Sequence, residues 1–261
     1  MEGHPISLEK AKELLAGDLG KAYRKILMDC CAPIYWYRRD IKDPPIAHNG
    51  TLTLARTPKL LLGITAAHVV RQLWKDREQH QYRVHVLDEE TPDLLDRVIA
   101  VSDKLDIATI ALDEELVKRL GKTPLGAWPP KPPDEGKGIM IAGYPGGARE
   151  QTDSSTITFG LYTVIGVARR VNLKQVTWLL EPEEQLEGLA IEMPPAQYDL
   201  GGISGGPLIG WFESEQHIAH CRLSAIVTEH PDYAGNGDLQ PNERLVAARA
   251  DVISETGKIF D

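Results

Sequence analysis

Cysteine, aromatic side chains and surplus positive charge are all scarce in this chain. Only Cys30, Cys31 and Cys221 occur among 261 residues. The count is odd and two are neighbours, which excludes a disulfide framework, and a chain this long needs no staples. Free thiols point to a reducing, cytoplasmic compartment. Twenty-nine Lys and Arg stand against 38 Asp and Glu, for a net charge of −9. That balance argues against nucleic acid as a partner, because phosphate binding wants clustered cations. No apolar run approaches the roughly 18–20 residues that span a bilayer, so no membrane partner is expected. The start, Met1-Glu2-Gly3-His4-Pro5, lacks the basic and apolar regions of a secretory leader. Metal-ligand spacing is also missing: His217, His220 and Cys221 cluster, but a half-exposed strand accounts for them better than zinc does.

What is present is an ordinary globular composition, 42% hydrophobic, which excludes wholesale disorder. Residues 7–28 carry apolar side chains at three-to-four spacing, with Ser7 as N-cap and Gly17 and Gly20 as breaks. This helix is expected to pack on the first barrel or to dock a regulatory protein. Beyond residue 49 short apolar runs alternate with turn signals. Strands are expected at 51–55, 60–65, 82–87, 97–102 and 107–112, with helical turns at 66–75 and 114–120. Residues 122–138 hold five of the 18 prolines and read as a linker. Strands resume at 139–142, 156–168, 175–180, 189–192, 207–211, 222–228 and 245–250, and Asp251 caps a short terminal helix. Many short strands without alternating helices predict an all-β barrel or sandwich.

Three segments carry chemistry. In Gly201-Gly202-Ile203-Ser204-Gly205-Gly206-Pro207, a serine sits among glycines that let a carbonyl approach the backbone. Chance gives the pattern Gly-x-Ser-Gly-Gly-Pro roughly 3 × 10⁻⁴ times in such a chain. A serine hydroxyl needs a base, and imidazole suits that task near neutral pH. The base needs a carboxylate to hold its tautomer. Ile64-Thr65-Ala66-Ala67-His68 and Leu105-Asp106-Ile107-Ala108 offer both, in the order His, Asp, Ser.

Thr65-Ala66-Ala67-His68, Asp106-Ile107-Ala108 and Gly202-Ile203-Ser204-Gly205-Gly206-Pro207 resemble the three motifs of chymotrypsin-fold, trypsin-like serine peptidases. The resemblance implies two six-stranded antiparallel β-barrels with an N-terminal helical extension and a short C-terminal helix. The divisions would be 1–33 for the extension, 34–121 for the first barrel, 122–138 for the linker and 139–261 for the second barrel. It implies a serine endopeptidase acting on a peptide or protein substrate without cofactor or metal. Ser204 would be the nucleophile, His68 the general base and Asp106 its orienting acid, with the Gly202 and Ser204 amides as the oxyanion hole. Tyr198, Asp199, Thr228, Glu229 and His230 would line the substrate site, and Thr228 would also support Asp106. Asp199 and Glu229 suit a basic P1 side chain, whereas Tyr198 filling the pocket base suits a small apolar one.

The departures from that family also inform. Ile203 stands where zymogen-activated members carry aspartate, and no activation sequence precedes it. This favours a bacterial or viral type of branch, with a bacterial member expected. Gly-x-Ser-x-Gly also fits the nucleophile elbow of α/β-hydrolases, but that fold needs its acid and histidine after the serine. A trypsin-like fold that has lost catalysis and serves as a binding module is the stronger rival.

Overall fold

The computed structural model describes residues 8–40, 48–151, 157–179, 200–213, 219–229 and 244–260. Two helices, α1 (Leu8–Ala16) and α2 (Asp18–Cys30), stand where the periodicity predicts one. The division falls at Gly17, whose backbone turns extended. Then follow β1 (Cys31–Arg38), β2 (His48–Arg56), β3 (Leu61–Ala66), α3 (Ala67–Gln79), β4 (Tyr82–Val86), β5 (Glu89–Glu90), β6 (Val98–Ser102), β7 (Ile107–Leu112) and α4 (Glu114–Arg119). Past the proline-rich segment come β8 (Gly138–Gly143), β9 (Arg149–Gln151), β10 (Ile157–Phe159), β11 (Tyr162–Val167), β12 (Arg170–Val171), β13 (Gln175–Leu179), β14 (Pro207–Glu213), β15 (Ala219–Glu229) and β16 (Arg244–Arg249). The terminal helix is one 3₁₀ turn, Ala250–Val252. The strand expected at 189–192 lies outside the described residues.

The strands form two seven-stranded sheets, ordered β5-β4-β1-β2-β3-β7-β6 and β11-β8-β14-β15-β16-β13-β12, and every pairing within them is antiparallel. Each sheet ends in one two-residue stub, β5 or β12. Without the stubs, the first sheet runs fourth, first, second, third, sixth, fifth in chain order. The second runs second, first, fourth, fifth, sixth, third. Read around a ring these are one cyclic order, opened at two different places. A shared ring order is what a two-barrel chymotrypsin-like fold requires, and the expected all-β class stands.

The short apolar runs that built the sequence expectation become the buried central strands. β3 is buried at all six positions, which a strand covered on both faces requires. β1 escapes sequence reading because Pro33 interrupts it. Its pairing with β4 begins only at Ile34, past the proline that cannot donate a ladder bond. The run at 156–168 is two strands, β10 and β11, separated by Gly160 and Leu161.

Each sheet encloses its own apolar core, and a third core joins them. Ala55, Leu62, Ile64 and Ile107 of the first half pack there with Leu223, Ile226, Ala248 and Ile253 of the second. A fourth cluster seats the N-terminal helix against both sheets: Leu27 of α2 is fully buried in a cluster with Met140, Ala142 and Ile209 of the second sheet and Cys31 of the first. Tyr23 stacks tilted on Trp211, with ring centroids 4.4 Å apart. α2 then runs straight into β1, so the extension ties the two halves together. The proline-rich segment is also bound to both: Leu125 exchanges hydrogen bonds with Leu54 and Arg56, and the Lys131 N–H donates to Leu223 O. All three cysteines are free, and Cys30 and Cys31 are buried.

Candidate active site

His68 is the second residue of α3, directly after β3. Asp106 lies in the turn that enters β7. A helix start exposes N–H groups with no partner inside the helix, and Ala66 offers no side-chain cap. Asp106 supplies the cap from across the sheet. Its main-chain O accepts from the Ala67 N–H at 3.1 Å, and Oδ1 accepts from the His68 N–H at 2.9 Å. Its Oδ2 lies 2.7 Å from His68 Nδ1. A carboxylate only accepts, so Nδ1 is the donor and the neutral ring keeps its lone pair on Nε2. Asp106 adopts a φ of +53°, in the left-handed region that aspartate tolerates better than most residues. One residue therefore fixes the helix start, the ring plane and the tautomer.

Ser204 lies in the loop that enters β14. Gly202 (φ +102°) and Gly205 (φ +93°) flank it in conformations closed to most side chains. Close packing adds a second reason for Gly205, because a Cβ there would meet Thr51 O at 2.0 Å and Thr65 Oγ1 at 2.3 Å. That contact presses the serine loop against β3 three residues before His68. The loop N–H groups divide into two sets. Those of Ile203, Gly205 and Gly206 donate to Leu200 O, Val227 O and Ile203 O. Those of Gly202 and Ser204 donate to nothing among the described residues. Two free amides flanking a serine can stabilise an oxyanion.

Ser204 itself is 2% exposed. The hydrogen bonds of the described residues include none between Ser204 Oγ and His68. The site thus holds a formed His–Asp pair, two free amides and a serine whose hydroxyl is not yet engaged.

The expected substrate-binding residues fare unevenly. Tyr198, Asp199 and His230 lie outside the described residues, and Glu229 is described only as the last residue of β15, paired with Val246. Thr228 is buried, but its hydroxyl donates to Val246 O at 3.4 Å and no hydrogen bond joins it to Asp106. The register shifts between Val227 and Glu229, and this irregularity turns Thr228 towards β16.

Sequence reasoning missed a group of braces. The Asn49 amide donates to Tyr144 O at 2.7 Å. The Thr51 hydroxyl accepts from the Tyr144 N–H and donates to Gly202 O, both at 2.9 Å. The Thr53 hydroxyl donates to Gly205 O at 2.7 Å, and the Gly146 N–H donates to Gly201 O at 2.6 Å. The signal was the alternation Asn49, Thr51, Thr53 on one face of a strand that is otherwise apolar. The loop Tyr144-Pro145-Gly146 is the other half of the brace.

No protein-family model matches the chain, and neither does any curated protein. Among solved structures, the chain resembles the serine protease domain of the Sesbania mosaic virus polyprotein, at 11% identity and a TM-score of 0.42. That match covers 84% of this chain and 87% of the viral one. It also resembles the thermostable serine protease AL20 from an extremophilic microorganism, at 11% identity and a TM-score of 0.46, covering 85% and 91% of the two chains.

Proposed function

We propose that the chain is a serine endopeptidase that cleaves peptide bonds through Ser204, His68 and Asp106. The observation that carries this reading is the division of the serine-loop amides. Of the N–H groups from Gly202 to Gly206, the two left without a partner among the described residues are those an oxyanion hole would use. In the reaction, Ser204 Oγ attacks the scissile carbonyl while His68 Nε2 takes its proton. The carbonyl oxygen, now negative, is received by the Gly202 and Ser204 amides. His68 returns the proton to the leaving amine, and water repeats the cycle on the acyl-enzyme. Asp106 holds the ring in the required tautomer through the 2.7 Å contact at Nδ1. No step calls for a metal or cofactor. Hydrogen bonds to the nucleophile are often long in free enzymes and tighten on substrate, which fits the unengaged Ser204 hydroxyl. Free buried cysteines support a reducing, cytoplasmic setting.

That unengaged hydroxyl also favours a second reading, a latent or inactive binding module on the same fold. A fluorophosphonate probe separates the two without knowledge of the substrate. Wild-type protein and Ser204→Ala are treated and weighed by intact mass spectrometry. One adduct on wild type alone is expected. Folded wild-type protein that takes no adduct would leave the binding module as the reading.

A further inference from the structure

We infer that Asn49 and Thr51 are positioning residues for the oxyanion-binding amides, so that β2 of the first half sets the catalytic competence of a loop in the second. The inference rests on the peptidase reading and extends it to side chains outside the three motifs.

Thr51 is fully buried and uses every polar group it has on the join between the halves. Its N–H donates to Ser204 O at 2.9 Å, and its C=O accepts from the Thr65 hydroxyl at 2.7 Å. Its own hydroxyl bridges the Tyr144 N–H and Gly202 O. Asn49, two residues earlier on the same face, takes Tyr144 O. The Tyr144 residue is thus held at both its N–H and its C=O. Two residues on, the Gly146 N–H grips Gly201 O.

The consequence follows from peptide planarity. The N–H and C=O of one peptide unit point in opposite directions, so pinning a carbonyl aims the next amide. Gly146 on Gly201 O aims the Gly202 N–H. The Gly206 N–H on Ile203 O aims the Ser204 N–H. Between them, the Gly202–Ile203 peptide unit is held at both ends, its N–H by Leu200 O and its C=O by Thr51 Oγ1, and only the Thr51 bond ties it to the first half. Every carbonyl from Gly201 to Gly205 therefore has a donor, and what remains free is the pair of amides beside the nucleophile. β2 also carries the contact to Thr65, three residues before His68. One strand therefore registers the serine loop against the histidine helix.

The test uses the full chain and p-nitrophenyl acetate, which reports acylation without a specific peptide. Thr51→Val keeps the shape and removes the hydroxyl; Thr51→Ser keeps the hydroxyl and removes the methyl. Thr51→Val is expected to slow turnover about 10–100-fold, the cost of a small misplacement, with KM within about twofold. Thr51→Ser should recover to within about threefold of wild type. Asn49→Leu, at a half-buried position, should slow turnover in the same way and decides the matter alone should Thr51→Val not fold. Folded variants that turn over at the wild-type rate would overturn the inference while leaving the peptidase reading intact, as would a Thr51→Ser as slow as Thr51→Val. Wild-type protein inert to both the ester and the fluorophosphonate would remove the peptidase reading and this inference with it.

Discussion

Asp106 shows why single residues in this site resist separate accounting. Its carboxylate caps the start of α3 and orients the His68 ring, and its φ of +53° stores strain of order 1 kcal/mol. Groups joined this way act as one unit. Ser204→Ala and His68→Ala are each expected to abolish most turnover, and the double variant should lose little beyond either single one. Steady-state rates on one substrate check this, and losses that multiply would mean the residues work independently. The sequence offered these three residues as candidates, because motif chemistry is local: a serine among glycines, a histidine after an apolar strand, an aspartate before one. Thr51 was not legible as a functional residue. Its role depends on Gly202 and Tyr144, more than 90 positions away, and nothing in Thr51-Leu52-Thr53-Leu54 reports what lies across the seam.

At the scale of elements, the pairing of β1 with β4 creates a pH-sensitive point. His85 lies opposite Tyr35 in the register, and its ring stacks on Tyr35 and Tyr37 with centroids 5.1 and 5.4 Å away. Both ring nitrogens are buried without a hydrogen-bond partner among the described residues. Burial holds the His85 pKa below its ordinary 6.5, and Arg83 adds to that, against the opposing pull of Glu90 and Asp88. The folded state therefore binds fewer protons than the unfolded chain as pH falls. This contribution is complete above about pH 6.5 and is lost as pH drops through the lower folded value. Urea unfolding is expected to show stability falling on acidification below pH 6.5, with His85→Phe giving a shallower slope over that window. An unchanged slope in His85→Phe would assign the acid sensitivity elsewhere. The strand carrying Tyr35 and Tyr37 is one the sequence concealed, because Pro33 interrupts its pattern. The strands that were read in advance, such as β3 and β7, are uninterrupted apolar runs bounded by turn residues.

At the scale of the whole molecule, the halves are joined by more than their active site. After the 3₁₀ turn the chain returns to the first half, where the Thr57 hydroxyl donates to Glu255 O at 2.7 Å and the Thr109 hydroxyl to Gly257 O at 2.6 Å. Ile253 completes the core shared by the two sheets. Removing residues 253–261 would strand the fully buried Thr109 hydroxyl and uncover Leu62. An unsatisfied buried hydroxyl costs about 1–3 kcal/mol, and lost burial of an isoleucine about 1.5–3 more. The truncated chain is expected to unfold at clearly lower urea, and an unshifted midpoint would show that the tail is dispensable for joining the halves.

The amino-acid order by itself determined the class of fold and offered His68, Asp106 and Ser204 as the candidate site. Strand periodicity and side-chain reactivity are properties of short segments, so β-rich texture and the His, Asp, Ser order can be read without coordinates. The tertiary structure decided the rest. It seated α2 on the second sheet as well as on the strand that follows it, because Leu27 finds apolar partners in Met140, Ala142 and Ile209. It gave the Thr228 hydroxyl to Val246 O, beside a register shift. It left the Gly202 and Ser204 amides without an acceptor among the described residues while giving each carbonyl from Gly201 to Gly205 a donor. Those outcomes depend on which groups compete for each hydrogen bond and each apolar contact, and that competition exists only once distant segments meet.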